Sequence, residues 1–184
     1  MPELLAHDVV IYLYQDADAP QRSLRLAECA RRYAARRGLG ASDFETAKTG
    51  NGKPYFPNSP LIHFSISHSG EYWAVAFSGQ ELGLDIQRHV ERDYLPIALR
   101  WYHAKEYTAV EKYGRACFFD IWSAKESLVK ADGEEGIASF PTFFVVQDGK
   151  IAPVCGRWQL KPLPLIDGYS ACLCGKELGE IYVE

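Results

Sequence analysis

The sequence contains no C-x-x-C pair, and its cysteines are odd in number: five, at Cys29, Cys117, Cys155, Cys172 and Cys174. That count argues against a complete disulfide framework. Cys172 and Cys174 lie two apart in a strand-like stretch, so they share a face without the geometry of a normal bridge. His7, His63, His89 and His103 are scattered, with no zinc-ligand spacing among them. Reduced thiols in a reducing compartment, the cytoplasm, are the expectation. No apolar run approaches the roughly 20 residues of a membrane helix. The start, MPELLAHDVV, places an acid and a histidine where a secretory signal carries a basic region and an apolar core. Excess positive charge is also missing. The formal net charge is −4, so no global field holds a nucleic acid, and any anion site must be a local cluster. What is present is ordinary for a globular chain of 184 residues, 47% hydrophobic and 24% charged, with room for one generous domain or two small ones.

HDVVIYLYQ alternates like a strand. Residues from about Pro20 to Arg37 form a helical pattern, stopped by Gly38 and Gly40. TGNGKP is a loop by its glycines and proline. Strands are predicted at Leu61–Ser67, Tyr72–Ser78 and Leu82–Gln87, with SHSG and SGQ as turns. The period then changes to helical over Leu95–Trp101, Lys105–Tyr113 and Ala116–Ala131. Strand patterns return at Phe143–Gln147, Trp158–Lys161, Tyr169–Cys174 and Glu180–Val183. EYWAVAFSGQELGLDI (Glu71–Ile86) aligns with GYSACLCGKELGEIYV (Gly168–Val183), about half the chain apart. Two similar α+β halves, 1–88 and 89–184, explain that likeness; so does chance similarity between two hairpins.

Four segments carry chemistry-bearing residues. GLDI sets Asp85 between Leu84 and Ile86, which point to the other face of the strand. A charge in such a place needs a partner, or it caps the next loop. In WSAKESLVK, Glu126 and Lys130 are one helical turn apart on one face, an arrangement that also suits a plain surface pair. FSISHSG offers Ser67, His68 and Ser69. Ser67 and His68 point to opposite faces of a strand, so they form no nucleophile–base pair with each other, and the G-x-S-x-G elbow of a hydrolase is missing. Hydroxyls, an imidazole and turn amides suit a phosphate better. GNGKP, with Lys53, lacks the spacing of a P-loop.

Together, and in this order, these segments resemble the phosphopantetheinyl transferases of the surfactin-synthetase type. GNGKP corresponds to the family's G-K-P, FSISHS to F-N-[IV]-S-H-S, GLDI to G-[IV]-D-[IV]-E, and WSAKESLVK to W-x-x-K-E-[AS]-x-x-K. The helix RSLRLAECARR extends the likeness toward Pro20. The resemblance implies a pseudo-dimeric α+β fold with the active site between two halves, in a monomer. It implies transfer of 4′-phosphopantetheine from coenzyme A to a serine of an apo carrier protein (acyl, peptidyl or aryl), dependent on Mg²⁺, with release of adenosine 3′,5′-bisphosphate. On that likeness Asp85 and Glu126 bind Mg²⁺, and Lys125 and Lys130 neutralise the pyrophosphate. Ser67 and His68 contact phosphates, Arg22 binds the 3′-phosphate, and Lys53 and Pro54 border the adenine. Glu106 deprotonates the carrier serine directly or through a metal-bound water. Trp122 is a packing residue that fixes the helix. Such carriers present an acidic helix with apolar neighbours, so Arg31, Arg32, Arg36 and Arg37 are candidate docking residues, or simply a solvated helix face. The sequence departs from the family pattern at Gln87, where a third acid is usual, and at Ser65, where Asn is usual; it also lacks a basic loop before the first helix. Gln87 leaves a second reading open: a degenerate relative that binds coenzyme A or a carrier without transfer. A Mg²⁺-dependent phosphoesterase is a third reading, with no residue that specifically asks for it.

Overall fold

The computed structural model describes residues 4–15, 21–40, 43–133 and 136–184. Two four-stranded sheets, each covered by helix on its outer face, give an α+β fold. In the first sheet β1 (Val9–Gln15) lies between β12 (Ile181–Val183) and β5 (Tyr72–Ser78), with β4 (His63–Ser69) at the edge beyond β5. In the second, β6 (Leu82–Arg88) is an edge strand, followed by β11 (Tyr169–Gly175), β10 (Trp158–Pro162) and β9 (Val154–Cys155).

Period-two alternation builds the layers. Val10 and Tyr12 of β1 face outward with Val75 and Phe77 of β5, under Leu26, Cys29, Ala30 and Tyr33 of α1 (Arg22–Arg36). Val9, Ile11, Ala74 and Ala76 point the other way, against Leu82, Leu84 and Ile86 of β6 and Ala171 and Leu173 of β11. The second sheet turns Cys172, Cys174, Trp158 and Leu160 toward α4 (Arg115–Asp132), which packs with α2 (Leu95–Trp101) and α3 (Ala104–Tyr113). All five cysteines are unpaired.

The expected helices agree with these four to within a residue or two; Pro20, where the first was expected to begin, lies outside the described residues. β4 begins at His63 and runs on through Ser69, two residues past its expected end, so His68 and Ser69, expected in a turn, sit on the strand. The loop around GNGKP is a small hairpin of β2 (Ala47–Lys48) and β3 (Pro54–Tyr55). The strand expected at Phe143–Gln147 is reduced to β7 (Val146–Gln147), paired with β8 (Lys150–Ile151), after a 3₁₀ turn over Ile137–Thr142.

The aligned repeats are β5–β6 and β11–β12, and each changes sheet. β6 leaves β5 to pair with β11, while β12 leaves β11 to pair in parallel with β1. Tyr72 and Tyr169, equivalent in the two repeats, meet edge-to-face at 5.4 Å.

Candidate active site

Gly83 decides how closely α4 approaches β6. A Cβ there would overlap the Ser127 carbonyl oxygen and the Ala131 amide nitrogen, so only glycine allows this packing. Asp85 and Gln87 follow on the same face at i+2 and i+4, under the same helix. Asp85 is 5% exposed. Its Oδ1 accepts hydrogen bonds from Lys130 Nζ at 2.6 Å and Ser67 Oγ at 2.8 Å. Lys130 Nζ also donates to the Leu84 carbonyl at 3.1 Å. Asp85 Oδ2 is buried and has no hydrogen-bond partner among the described residues.

Glu126, half-buried, completes the cluster. Burial raises its carboxyl above the ordinary range, Asp85 raises it further, and Lys130 opposes both. Burial likewise pushes Asp85 up, against Lys130 and Ser67. Two desolvated carboxylates, one with an unpartnered oxygen, are destabilising unless a cation joins them. Among the described residues no three His, Cys, Asp or Glu side chains gather as a metal cluster. Two carboxylates nevertheless suit Mg²⁺, which takes its remaining ligands from phosphate oxygens and water. Gln87 is half-buried on the same strand face and adds no charge.

A cavity of about 510 Å³ opens beside Lys130, between the GKP hairpin (Lys53, Pro54), β4 (Ser65, Ile66) and the end of α4 (Val129). Lys53 Nζ donates to the Ala131 carbonyl at 2.8 Å and Asn51 Nδ2 to the Gly133 carbonyl at 3.1 Å. The hairpin therefore caps the helix C-terminus, where Gly133 closes α4 with φ +70°. Burial lowers the Lys53 ammonium from its usual value.

The structure thus brings Asp85, Glu126, Lys130, Ser67 and Gln87 to one place, with Lys53 and Pro54 on the adjoining wall. His68 is exposed on the other face of β4, in a row with Trp73 and Tyr14, and Arg22 opens α1 on that side. Three expectations, for Glu106, Lys125 and Ser67, need correction. Glu106 and Lys125 are both 0% exposed and bond to each other at 2.8 Å. Glu106 also accepts from Val145 N at 2.7 Å and His103 N at 3.0 Å, and Lys125 donates to the carbonyls of Phe140 at 2.7 Å and Phe143 at 2.6 Å. Burial raises the acid and lowers the amine, each opposed by its partner. A sealed, saturated pair reaches neither a serine hydroxyl nor a pyrophosphate; it fastens α4 to α3 and to the 140–145 segment. The hydroxyl of Ser67 is likewise committed inside the protein. Trp122 packs among Tyr102, Phe118 and Phe140. Of the candidate docking arginines, Arg32 and Arg36 bond Glu184 and Arg37 bonds Tyr33.

A family model described as the 4′-phosphopantetheinyl transferase superfamily matches residues 81–174. The 4′-phosphopantetheinyl transferase Sfp of Bacillus subtilis (strain 168) is 33% identical over 140 residues, 73% of this chain and 58% of the relative. The 4′-phosphopantetheinyl transferase psf-1 of Bacillus pumilus is 37% identical over 114 residues, 58% of this chain and 47% of the relative. The 4′-phosphopantetheinyl transferase AcpT of Salmonella typhimurium is 32% identical over 123 residues, 64% of each chain. The chain spans about half the length of the curated relatives heading this comparison.

Proposed function

Because this chain belongs to the 4′-phosphopantetheinyl transferase superfamily, we propose that it moves the 4′-phosphopantetheine group of coenzyme A to a serine of an apo carrier protein. The observation that carries the reading is Asp85 Oδ2, a buried carboxylate oxygen near Glu126 with no hydrogen-bond partner among the described residues, on a side chain whose other oxygen bonds Lys130, which lines the ligand-sized cavity. Asp85 and Glu126 would hold Mg²⁺. Bound there with the pyrophosphate, it would supply positive charge that polarises phosphate oxygens.

The remaining chemistry belongs to the chain. Lys130 stands against the pyrophosphate and offsets the charge that builds on the departing phosphate. Lys53 and Pro54 wall the side of the cavity next to the helix end. The β4 edge carries that wall from Ile66 to the exposed imidazole of His68, and with Arg22 this supports placing the 3′-phosphate on the α1 side of the first sheet. The serine oxygen attacks the phosphorus that bears the pantetheine arm, the pyrophosphate P–O bond breaks, adenosine 3′,5′-bisphosphate leaves, and the serine proton ends in solvent.

The two-half organisation, 1–88 and 89–184, is part of the proposal, supported by the strand-exchanging repeats β5–β6 and β11–β12. So is a monomer in the cytoplasm, which suits five unpaired cysteines; no helix among the described residues is long and apolar enough to cross a membrane. The test is a mixture of purified protein, coenzyme A, Mg²⁺ and apo-carriers of several classes. Mass spectrometry should find phosphopantetheine on the carrier serine, and no added mass on any carrier would overturn the reading. Calorimetric binding of coenzyme A without product would favour the binding-only alternative that Gln87 leaves open.

A further inference from the structure

Ser65, Ser67 and Ser69 occupy alternate positions of β4 and therefore point to one face, the one turned toward the second sheet. There each hydroxyl accepts a hydrogen bond from a backbone N–H of β6: Leu84 N at 2.9 Å, Ile86 N at 3.0 Å and Arg88 N at 2.9 Å. β6 is an edge strand whose other side pairs with β11, and β4 is the edge strand of the first sheet. Two edges that do not pair through their backbones are joined by three side-chain rungs, which also satisfy amides that would otherwise be buried without partners.

The middle rung has a second bond. Ser67 Oγ receives Ile86 N–H and donates its own proton to Asp85 Oδ1 at 2.8 Å. Asp85 is thereby held from the neighbouring sheet, with Oδ1 occupied by Ser67 and Lys130 and Oδ2 left open. Lys130 Nζ, on a long stem, bonds the same oxygen and also the Leu84 carbonyl at 3.1 Å and Ser67 Oγ at 3.4 Å. Ser67 adds a short-stemmed hydroxyl fixed to the backbone of the same strand, which limits how far the carboxylate can turn.

We propose that Ser67 is a positioning residue that orients Asp85 for a divalent cation, and that Ser69 is a rung of the same ladder with a purely structural task. The proposal rests on the reading of Asp85 and Glu126 as a cation site and adds the group that aims the first of them. Groups that orient a ligand in this way are typically worth roughly 10- to 100-fold in metal affinity.

The experiment is a calorimetric titration of Mn²⁺ into the full chain, with thermal unfolding recorded in parallel. Ser67→Ala should weaken Mn²⁺ binding by about tenfold or more. Ser67→Thr, which keeps the hydroxyl, should stay close to the parent. Ser69→Ala should lower the melting temperature and leave Mn²⁺ binding unchanged. A folded Ser67→Ala variant with parental affinity overturns the proposal, as does an equal loss of affinity in Ser69→Ala. Parental protein that binds no Mn²⁺ overturns the cation site itself, and this inference with it. That outcome is distinguishable from the first two, because they require a parental protein that binds.

Discussion

Asp85 and Glu126 are held where neither is comfortable ionised without a counter-charge. Burial raises both carboxyls, and each has the other nearby. A carboxyl with a higher pKa in the folded state contributes stability that is full below its unfolded value and is lost as pH rises through its folded value. Cation-free protein should therefore lose stability as pH climbs upward from the ordinary carboxylate range. Glu126→Gln should flatten that loss and melt roughly 2–4 °C above the parent at neutral pH, corresponding to about 1 kcal/mol. The gap should close in acid, where Glu126 is protonated, and narrow in Mg²⁺; thermal melts from pH 4 to 8 with and without the ion measure it. The same substitution, like Asp85→Ala, should abolish carrier modification while leaving the circular dichroism spectrum unchanged. In this pair activity and stability pull in opposite directions.

At the scale of elements, two of the devices that hold α4 share no residue. The first is the missing side chain at Gly83. Gly83→Ala should force the helix off β6, costing about 3 kcal/mol in urea unfolding and displacing Glu126 and Lys130 from Asp85. The second is the sealed Glu106–Lys125 pair. Removing one partner leaves a buried charge alone, so Lys125→Met should cost roughly 3–5 kcal/mol. Glu106→Gln should be destabilised too, yet its folded fraction should keep the parental pH–rate profile. Loss of one limb of that profile would return Glu106 to the role of base. WSAKESLVK shows why sequence alone misplaced Lys125. Lys125 and Glu126 are neighbours in the chain, but a helix turns about 100° per residue, which sends one into the core and the other into the site.

At the scale of the molecule, each sheet borrows a strand from beyond the midpoint of the chain. β6 completes the second sheet and β12 the first. Expressed separately, residues 1–88 and 89–184 should each lack cooperative unfolding, because each would carry one strand with no sheet and one sheet short of a strand. Co-expressed, they should recover a single transition; calorimetry and amide NMR dispersion distinguish the cases. A separate fold for either fragment would show that the exchanged strands are dispensable.

Local pattern determined a good deal here. Period-3.6 and period-2 repeats located the helices and the long strands, because those repeats record which face is buried. The ordered motifs FSISHS, GLDI and WSAKESLVK marked the chain segments that meet at Asp85, and GNGKP the hairpin that caps the end of α4 beside them. Tertiary structure decided what the pattern could not hold, namely which atoms each polar group is committed to. Ser67 reads as a phosphate contact until β6 is laid beside β4, and Glu106 reads as a base until Lys125 and Val145 close over it. The three alternating serines were visible in the sequence as a period-two signal, but their partners are backbone amides, which every residue except proline carries. Hydrogen-bond commitment depends on distances between segments far apart in the chain, so it becomes defined only once the two sheets have packed.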